Sequence, residues 1–323
     1  MAKVSVIVPI YGVEKYIERC ARSLFEQTLD DIEYLFIDDC TPDKSIEILK
    51  SVLDRYPHRK EQVSIHRMEK NSGQARVREW GMKNATGDYI IHCDSDDWVE
   101  STMYEDLYKI AIKEDADVVK CQFDRVYSDK HVIADSSYNG VIRKDNAISM
   151  LLRGLDMSST CDKLVKRAIL EKIKYPKNNM WEDLYLVLQM LSYSNKVYSV
   201  PNVYYHYCHN TQSICGLMTE EAAIKRFKSE CEVYTSVYDY LSDIGSVIQY
   251  DLELDNLKMH IKEELIPYLH IDRVRHIWKT AFEEVKWGYI WNKTISNKKK
   301  LKYSLCDLGI YRFVEKIIRI IVR

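Results

Sequence analysis

The chain has 323 residues and a mass of 38.2 kDa, with 46% hydrophobic and 30% charged residues. That balance excludes a disordered chain, and a formal net charge of -2 excludes a polyanion-binding protein recognised by bulk charge. The average conceals a polarised tail: residues 293–323 carry nine Lys/Arg against two acids, a net of +7, which leaves the remainder at -9.

The first apolar run, "VSVIVPIYG", is short, contains Pro9 and lacks a small-residue cleavage site, so no signal peptide is expected. No run of about 18 apolar residues occurs, and a membrane-spanning helix is not expected either. Nine cysteines stand without a C-x-x-C pair, against a zinc ribbon or a disulfide framework. Cys93 and Cys121 read as small buried hydrophobes. The expected setting is reducing and cytoplasmic.

Strand-like and helix-like patterns alternate through the first 125 residues. "KVSVIVPI" is a uniformly apolar run of the kind that is covered on both faces. "VEKYIERCARSLFEQTL" then places Ile17, Ala21, Leu24, Phe25 and Thr28 on one helical side. "EYLFID" is a second strand, followed by a helix over "CTPDKSIEILKSVLDRY" with Asp43 as its cap. "VSIHRM" and "GDYIIHC" continue the strands, separated by the helical "GQARVREWGMKNA". "STMYEDLYKIAIKEDA" and "DVVKCQF" complete the series. The alternation predicts an α/β fold with a mostly parallel, doubly wound sheet. Residues 126–215 are less regular, and from 216 onward the pattern is helical. The expected organisation is a domain over 1–215, divided into a 1–125 half and a 126–215 half, followed by a helical region over 216–323.

Ligands of such sheets bind beyond the carboxyl ends of the strands, where this chain clusters its polar residues. Tyr11 follows the first strand, Asp38 and Asp39 the second, and "DSDD" (Asp94, Ser95, Asp96, Asp97) a later one. No G-x-G-x-x-G or G-x-x-x-x-G-K-[ST] occurs, which removes the usual dinucleotide and P-loop readings. Along an extended chain Asp94 and Asp96 project to the same side about 7 Å apart, a pattern suited to Mg²⁺ or Mn²⁺ with substrate phosphate. A solvated turn with Asp97 as a helix cap is the structural counterpart of that reading. Of Asp38 and Asp39, one is free to accept the N–H of a pyrimidine base with Tyr11 stacked nearby, while the other caps a turn. Arg76 and Arg78 open a helix. Arg78 suits a diphosphate, a brace for the acidic cluster or a plain salt bridge.

The ordered set "VSVIVPIYGVEKYIERCARSLFEQTLDDIEYLFIDD", "NSGQARVREWGMKNATGDYIIHCDSDDW", "CDKLVKRAIL" and "WEDLYLVLQML" resembles the family 2 glycosyltransferases of GT-A fold, through about residue 214. The resemblance implies metal-dependent, inverting transfer of a sugar from a nucleoside diphosphate donor, most simply a UDP-sugar, to a hydroxyl of a growing glycan or lipid-linked acceptor. It implies a donor side of Pro9, Tyr11, Asp39, Asn71, Arg78, Asp94, Ser95 and Asp96. Metal ligands would come from Asp96, Asp94 and Asp97, with Mg²⁺ or Mn²⁺ as the ion. The acidic motif before a helix makes Asp183 the implied base and Glu182 its neighbour. Departures from the family pattern are Gly12 for Asn, "DDCTPD" for D-D-G-S-T-D, Arg76 for a small residue, and Cys208 for an arginine in "YCHNTQS". His206 and His209 are further candidates for the metal or diphosphate.

The tail "DLGIYRFVEKIIRIIVR" sets Ile310, Phe313, Val314, Ile317 and Ile321 on one helical face and Arg312, Lys316, Arg319 and Arg323 on another. With "NKKKLK" upstream it reads as a cationic amphipathic helix, either lying on an anionic membrane surface or docked on its own domain. Peripheral attachment to the inner face of the cell membrane follows from the first of these. Nucleic acid is not an expected partner. Alternative functions are a catalytically inactive nucleotide-sugar-binding module and a metal-dependent phosphotransferase or phosphatase; for the latter, the acids should follow the first strand, and they do not.

Overall fold

A computed structural model describes residues 2–127, 130–133, 138–156, 158–176, 182–208, 218–311 and 313–314. These form two compact units, Met1–Ile148 with Ser158–Gln212, and Ser149–Met157 with Ser213–Arg323.

In the first unit the strands and helices run β1 (Val4–Ile10), α1 (Ile17–Phe25), β2 (Ile32–Asp38), α2 (Ser45–Leu53), β3 (Val63–Arg67), α3 (Gln74–Asn84), β4 (Tyr89–His92), β5 (Trp98–Val99) and α4 (Met103–Glu114). They continue with β6 (Val118–Val126), β7 (His131–Ile133), β8 (Gly140–Ile142), α5 (Lys144–Leu152), β9 (Lys163–Lys166), α6 (Arg167–Leu170), α7 (Glu182–Tyr193) and β10 (Val197–Cys208). The sheet order is β3-β2-β1-β4-β9-β6-β10-β5, with β7 on β6 and β8 on β10. The expected doubly wound core is the β3-β2-β1-β4 part, where every pairing is parallel. Beyond β4 the sheet is mixed: β9 is antiparallel to both β4 and β6, while β6 and β10 are parallel. "CDKLVK" thus supplies a short strand in the middle of the sheet, a pairing that no local alternation signals.

Local sequence explains the well-formed half. β1 is apolar on both faces because helices cover both, and α1 buries Ile17, Cys20, Ala21, Leu24 and Phe25. Thr28 falls beyond the helix, its N–H bonded to the Ser101 carbonyl at 2.9 Å. Gly81 lets α3 lie directly on β1, since a Cβ there would stand 2.6 Å from Ile7 Cγ2. Arg78, one turn earlier on the same face, is consequently drawn into the protein interior.

Register aligns the carboxyl ends. Ile10 pairs with Asp38 across β1–β2, and Ile7 pairs with His92 across β1–β4. Tyr11, Asp39 and Asp94 are therefore delivered to one edge of the sheet.

The second unit contains α8 (Glu220–Asp243), α9 (Asp251–Lys262), α10 (Asp272–Thr280) and α11 (Asn297–Asp307). Its core includes Leu241, Leu265, Trp278 and Tyr303, and Asp307 accepts hydrogen bonds from Trp278 Nε1 and Tyr289 Oη, each at 2.7 Å. Residues 149–157, placed in the 126–215 half by sequence, group with this unit: Ser149 Oγ donates to Glu253 Oε1 at 2.7 Å, and Gly154 lies beside the His260 ring. Among the described residues no helix is long and apolar enough to cross a membrane.

Glu230 on α8 has its carboxyl pushed up from 4.5 to about 8, first by burial and then by the Glu264 charge, with Arg226 opposing. Its folded value exceeds its unfolded one, so its contribution is intact below about pH 4.5 and is lost as pH rises toward about 8. Glu230→Gln is expected to stabilise the chain above about pH 8 by on the order of 2 kcal/mol, and to be neutral near pH 4.5. Thermal melts across that range check this.

Candidate active site

The loops after β1 and β2 are built around two aspartates with separate duties. Asp38 Oδ1 accepts the Thr41 N–H at 2.7 Å, and its Oδ2 meets Arg67 Nη1 at 2.8 Å. Asp39 accepts the backbone N–H groups of Ser72 and Gly73, at 2.7 and 2.9 Å, one on each oxygen. Asp38 is thus the turn-former, and Asp39 ties the loop carrying Asn71 to the end of β2. Both acids are buried, whereas Asn71 is exposed and Tyr11 is 53% exposed at the crevice rim. Pro9 is half-buried on β1.

Two departures from the family pattern have a backbone explanation. Gly12 takes φ 68°, a left-handed conformation that Asn also tolerates, and its N–H donates to Thr41 Oγ1 at 2.9 Å. Cys40, standing where glycine is usual, also adopts a left-handed φ of 59°. That costs on the order of 1 kcal/mol without a glycine, and the thiol is held against the Met68 carbonyl at 3.1 Å.

The centre of the site is Arg78, only 1% exposed. Its Nη2 donates to Asp94 Oδ1 at 2.8 Å; its Nη1 donates to Asp183 Oδ1 at 2.5 Å and to Glu182 Oε1 at 3.2 Å. Of the alternatives open in the sequence, the brace for the acidic cluster is the one observed. Asp94 and Asp183 lie 89 positions apart in sequence and share one guanidinium. Gln74 Nε2 also donates to Asp94 Oδ1, at 3.0 Å, and Thr160 Oγ1 to Asp183 Oδ1, at 3.3 Å. Each carboxylate therefore spends Oδ1 on the protein and keeps Oδ2 without a protein partner among the described residues. Asp94 is 27% and Asp183 28% exposed, while Glu182 is buried.

Burial, then the Asp183 charge, pushes the Glu182 carboxyl up to about 7, with Arg78 opposing. Burial raises Asp183 as well, again against Arg78. His92, under the cluster on β4, is held neutral by burial and by the Arg78 charge, and neither of its ring nitrogens has a protein partner among the described residues.

The four residues of "DSDD" diverge. Asp96 is partly exposed, and burial together with the Asp94 charge raises its carboxyl to about 6. The one hydrogen bond it accepts from a side chain among the described residues is on its backbone carbonyl, from Arg19 Nη2 at 3.0 Å. Ser95 is buried. Asp97 departs from the expected ligand set: it is fully buried, with Oδ2 accepting the Tyr205 hydroxyl at 2.5 Å and Oδ1 the Cys208 N–H at 2.7 Å. Its oxygens are committed to holding the end of β10. His206 likewise turns away from the donor carboxylates, to Asp124 and Glu100. His209 and the loop from 209 to 217 lie outside the described residues.

Sequence reasoning missed Gln74, Thr160 and Tyr205. Only Gln74 carried a signal, as the first residue of α3 in the "NSGQAR" stretch. Asp94 and Asp96 offer the hard oxygen donors that Mg²⁺ and Mn²⁺ take, and partial burial with no ion pair to the Asp96 carboxylate among the described residues suits such an ion.

The chain belongs to glycosyl transferase family 2, whose description it matches over residues 5–174. The glycosyltransferase GlyA of Streptococcus pneumoniae is 29% identical over 229 residues, covering 68% of this chain; that stretch is 32% of GlyA, so the chain spans about a third of that relative's length. The crystal structure of S. aureus TarS 1–349 in complex with UDP-GlcNAc superposes with a TM-score of 0.60 at 18% identity, covering 98% of this chain and 91% of that one. The mannosyltransferase PcManGT from Pyrobaculum calidifontis, in complex with GDP-Man and Mn²⁺, gives 0.55 at 13% identity, with 98% and 87% covered. At these identities the structural likenesses establish the fold, which is GT-A with a helical C-terminal region.

Proposed function

We propose that this protein transfers a sugar from a nucleoside diphosphate donor, a UDP-sugar, to an acceptor hydroxyl with inversion at the sugar carbon. The observation that supports this most is the shared Arg78, which joins the donor-side Asp94 to Asp183 on the acceptor side. The UDP-GlcNAc complex of a structural neighbour accords with the choice of donor.

In this reading the nucleobase stacks at Tyr11, above Pro9. Asp39 accepts a base N–H on a remaining lone pair, since a carboxylate offers about four acceptor sites and two are used. Asn71 borders the same pocket. Asp94 turns Oδ2 to the ribose, and Ser95 lies buried between the two acids on the same donor side. Asp96 and Asp94 would hold Mg²⁺ or Mn²⁺, which when bound offsets the charge developing on the departing diphosphate. Asp183 takes the acceptor hydroxyl's proton on Oδ2 while Arg78 and Thr160 fix Oδ1. Burial makes it a stronger base than an exposed aspartate, and Arg78 keeps it ionised. Glu182 shares Arg78 Nη1 with Asp183, while Nη2 stays on Asp94, so the guanidinium is held at both ends.

The acceptor is read as a growing glycan or a lipid-linked sugar, reached at a membrane surface through the cationic tail. The described part of that tail exposes Ile310 and Phe313; residue 312 and residues 315–323 lie outside the described residues.

Asp183→Asn is expected to lower turnover of the UDP-sugar by about 10²–10⁴-fold while leaving UDP and Mn²⁺ binding within about twofold by calorimetry. Unchanged turnover would remove Asp183 from the role of base. For the tail, a chain ending at Leu308 keeps α11 and its contacts to Trp278, and is expected to lose co-sedimentation with anionic liposomes that the full chain shows. Equal partitioning would show that the tail is not the membrane contact.

A further inference from the structure

A second set of ligating groups stands on the sheet face opposite the donor carboxylates. Side chains alternate along β10, so Tyr205 and His206 point to opposite faces. Tyr205 reaches Asp97, whereas His206 lies among Asp124, Glu100 and His131. Asp124 is buried on β6, in register with His206 on β10 and with Ile133 on β7. Its Oδ1 is 2.7 Å from His206 Nδ1, and its Oδ2 is 2.7 Å from His131 Nδ1. His206 Nε2 is 2.9 Å from Glu100 Oε1. The ligating atoms of Asp124, His131 and His206 all lie within 4.8 Å of one another.

A neutral imidazole has one N–H and one lone pair. His206 has a carboxylate oxygen at hydrogen-bonding distance from each nitrogen, so in its neutral form one lone pair faces a carboxylate. Two acceptors at 2.7 or 2.9 Å repel unless a proton or a cation lies between them. Glu100 provides the arrangement seen around metal-bound histidines, in which the outer ring N–H donates to a carboxylate and the inner nitrogen faces the ion. A second imidazole, His131, meets the same Asp124 carboxylate from its other oxygen. Two imidazole nitrogens and one carboxylate suit zinc and similar first-row ions better than Mg²⁺, which prefers all-oxygen surroundings.

We propose that Asp124, His131 and His206 form a divalent transition-metal site of the zinc class, with Glu100 orienting His206. Metal–ligand bonds of about 2.0–2.2 Å require the N···O separations to open by roughly half an ångström. The His131 ring, exposed on the short β7, can supply that movement. The ion pins β7 to β6 and β10. It also stiffens the acidic loop: Trp98 stacks on His206 at 5.1 Å between centroids, Arg19 lies over Trp98 at 3.7 Å, and Arg19 Nη2 donates to the Asp96 carbonyl at 3.0 Å. The proposal does not rest on sugar transfer, because its ligands are distinct from Asp94 and Asp96.

The test is a titration of the full chain, freed of metal by a chelator, with Co²⁺ as a spectroscopic probe and Zn²⁺ as competitor. The expected result is one equivalent of Co²⁺ with a visible d–d band, displaced by Zn²⁺ and retained in Asp96→Asn. Glu100→Gln is expected to weaken binding by about 10–100-fold, and His131→Ala by more. His131 is exposed, so circular dichroism should show that variant folded. Absence of the band, its persistence in folded His131→Ala, or its loss in Asp96→Asn would each overturn the proposal.

Discussion

One buried guanidinium organises the carboxyl ends of the strands in the first unit. Arg78 meets Asp94, Glu182 and Asp183 at hydrogen-bonding distance. Three carboxylates this close resist ionising together, and a lone buried arginine is equally costly. Each is tolerable only in the presence of the other. The arrangement fixes the distance between the acid after β4 and the acids opening α7, which sequence places far apart. With Asp96 nearby, the cluster remains more acidic than its single arginine can balance, which suits a cation accompanying an anionic donor.

The rest of the first unit serves that geometry. Parallel register brings the ends of β1, β2 and β4 to one edge, and Gly81 lets α3 approach β1 so that Arg78 enters the interior. Asp39 anchors the Ser72–Gly73 backbone, and the next residue, Gln74, reaches Asp94. A connected path thus runs from Asp39 through the Ser72–Gln74 backbone, Asp94 and Arg78 to Asp183. Asp97 closes the opposite side by holding Tyr205 and Cys208. Of the four acidic-loop residues, Asp94 and Asp96 are the two that are partly exposed.

Much of this was legible in the chain because its cause is local. The Val/Ile runs, the helical spacing of Ile17, Ala21 and Leu24, and the polar residues at strand ends predict the parallel half and its crevice. Order and spacing of the motifs bring in Asp183. What the sequence does not carry is pairing between distant segments. Nothing in "CDKLVK" says that it lies antiparallel between β4 and β6, and nothing in "DSDD" separates the buried Asp97 from its neighbours. The same applies to Asp124 and His206, which meet only because β6 and β10 are in register. Cys40 shows the reverse case: a residue that breaks the local preference for glycine while the loop keeps the glycine's conformation.

Arg78 is the charge that holds three carboxylates together, and the most direct measurement of this is the pH dependence of unfolding in Arg78→Met against the unaltered chain. Without the guanidinium, burial and mutual repulsion raise the Glu182 and Asp183 carboxyls further above their unfolded values. Stability is then lost as pH rises and recovered as the groups protonate. Above neutral pH the variant is predicted to lose about 3–5 kcal/mol in urea denaturation, with the deficit shrinking as pH falls toward the Glu182 value of about 7. A deficit under about 1 kcal/mol, or one that stays constant across that range, would contradict the account.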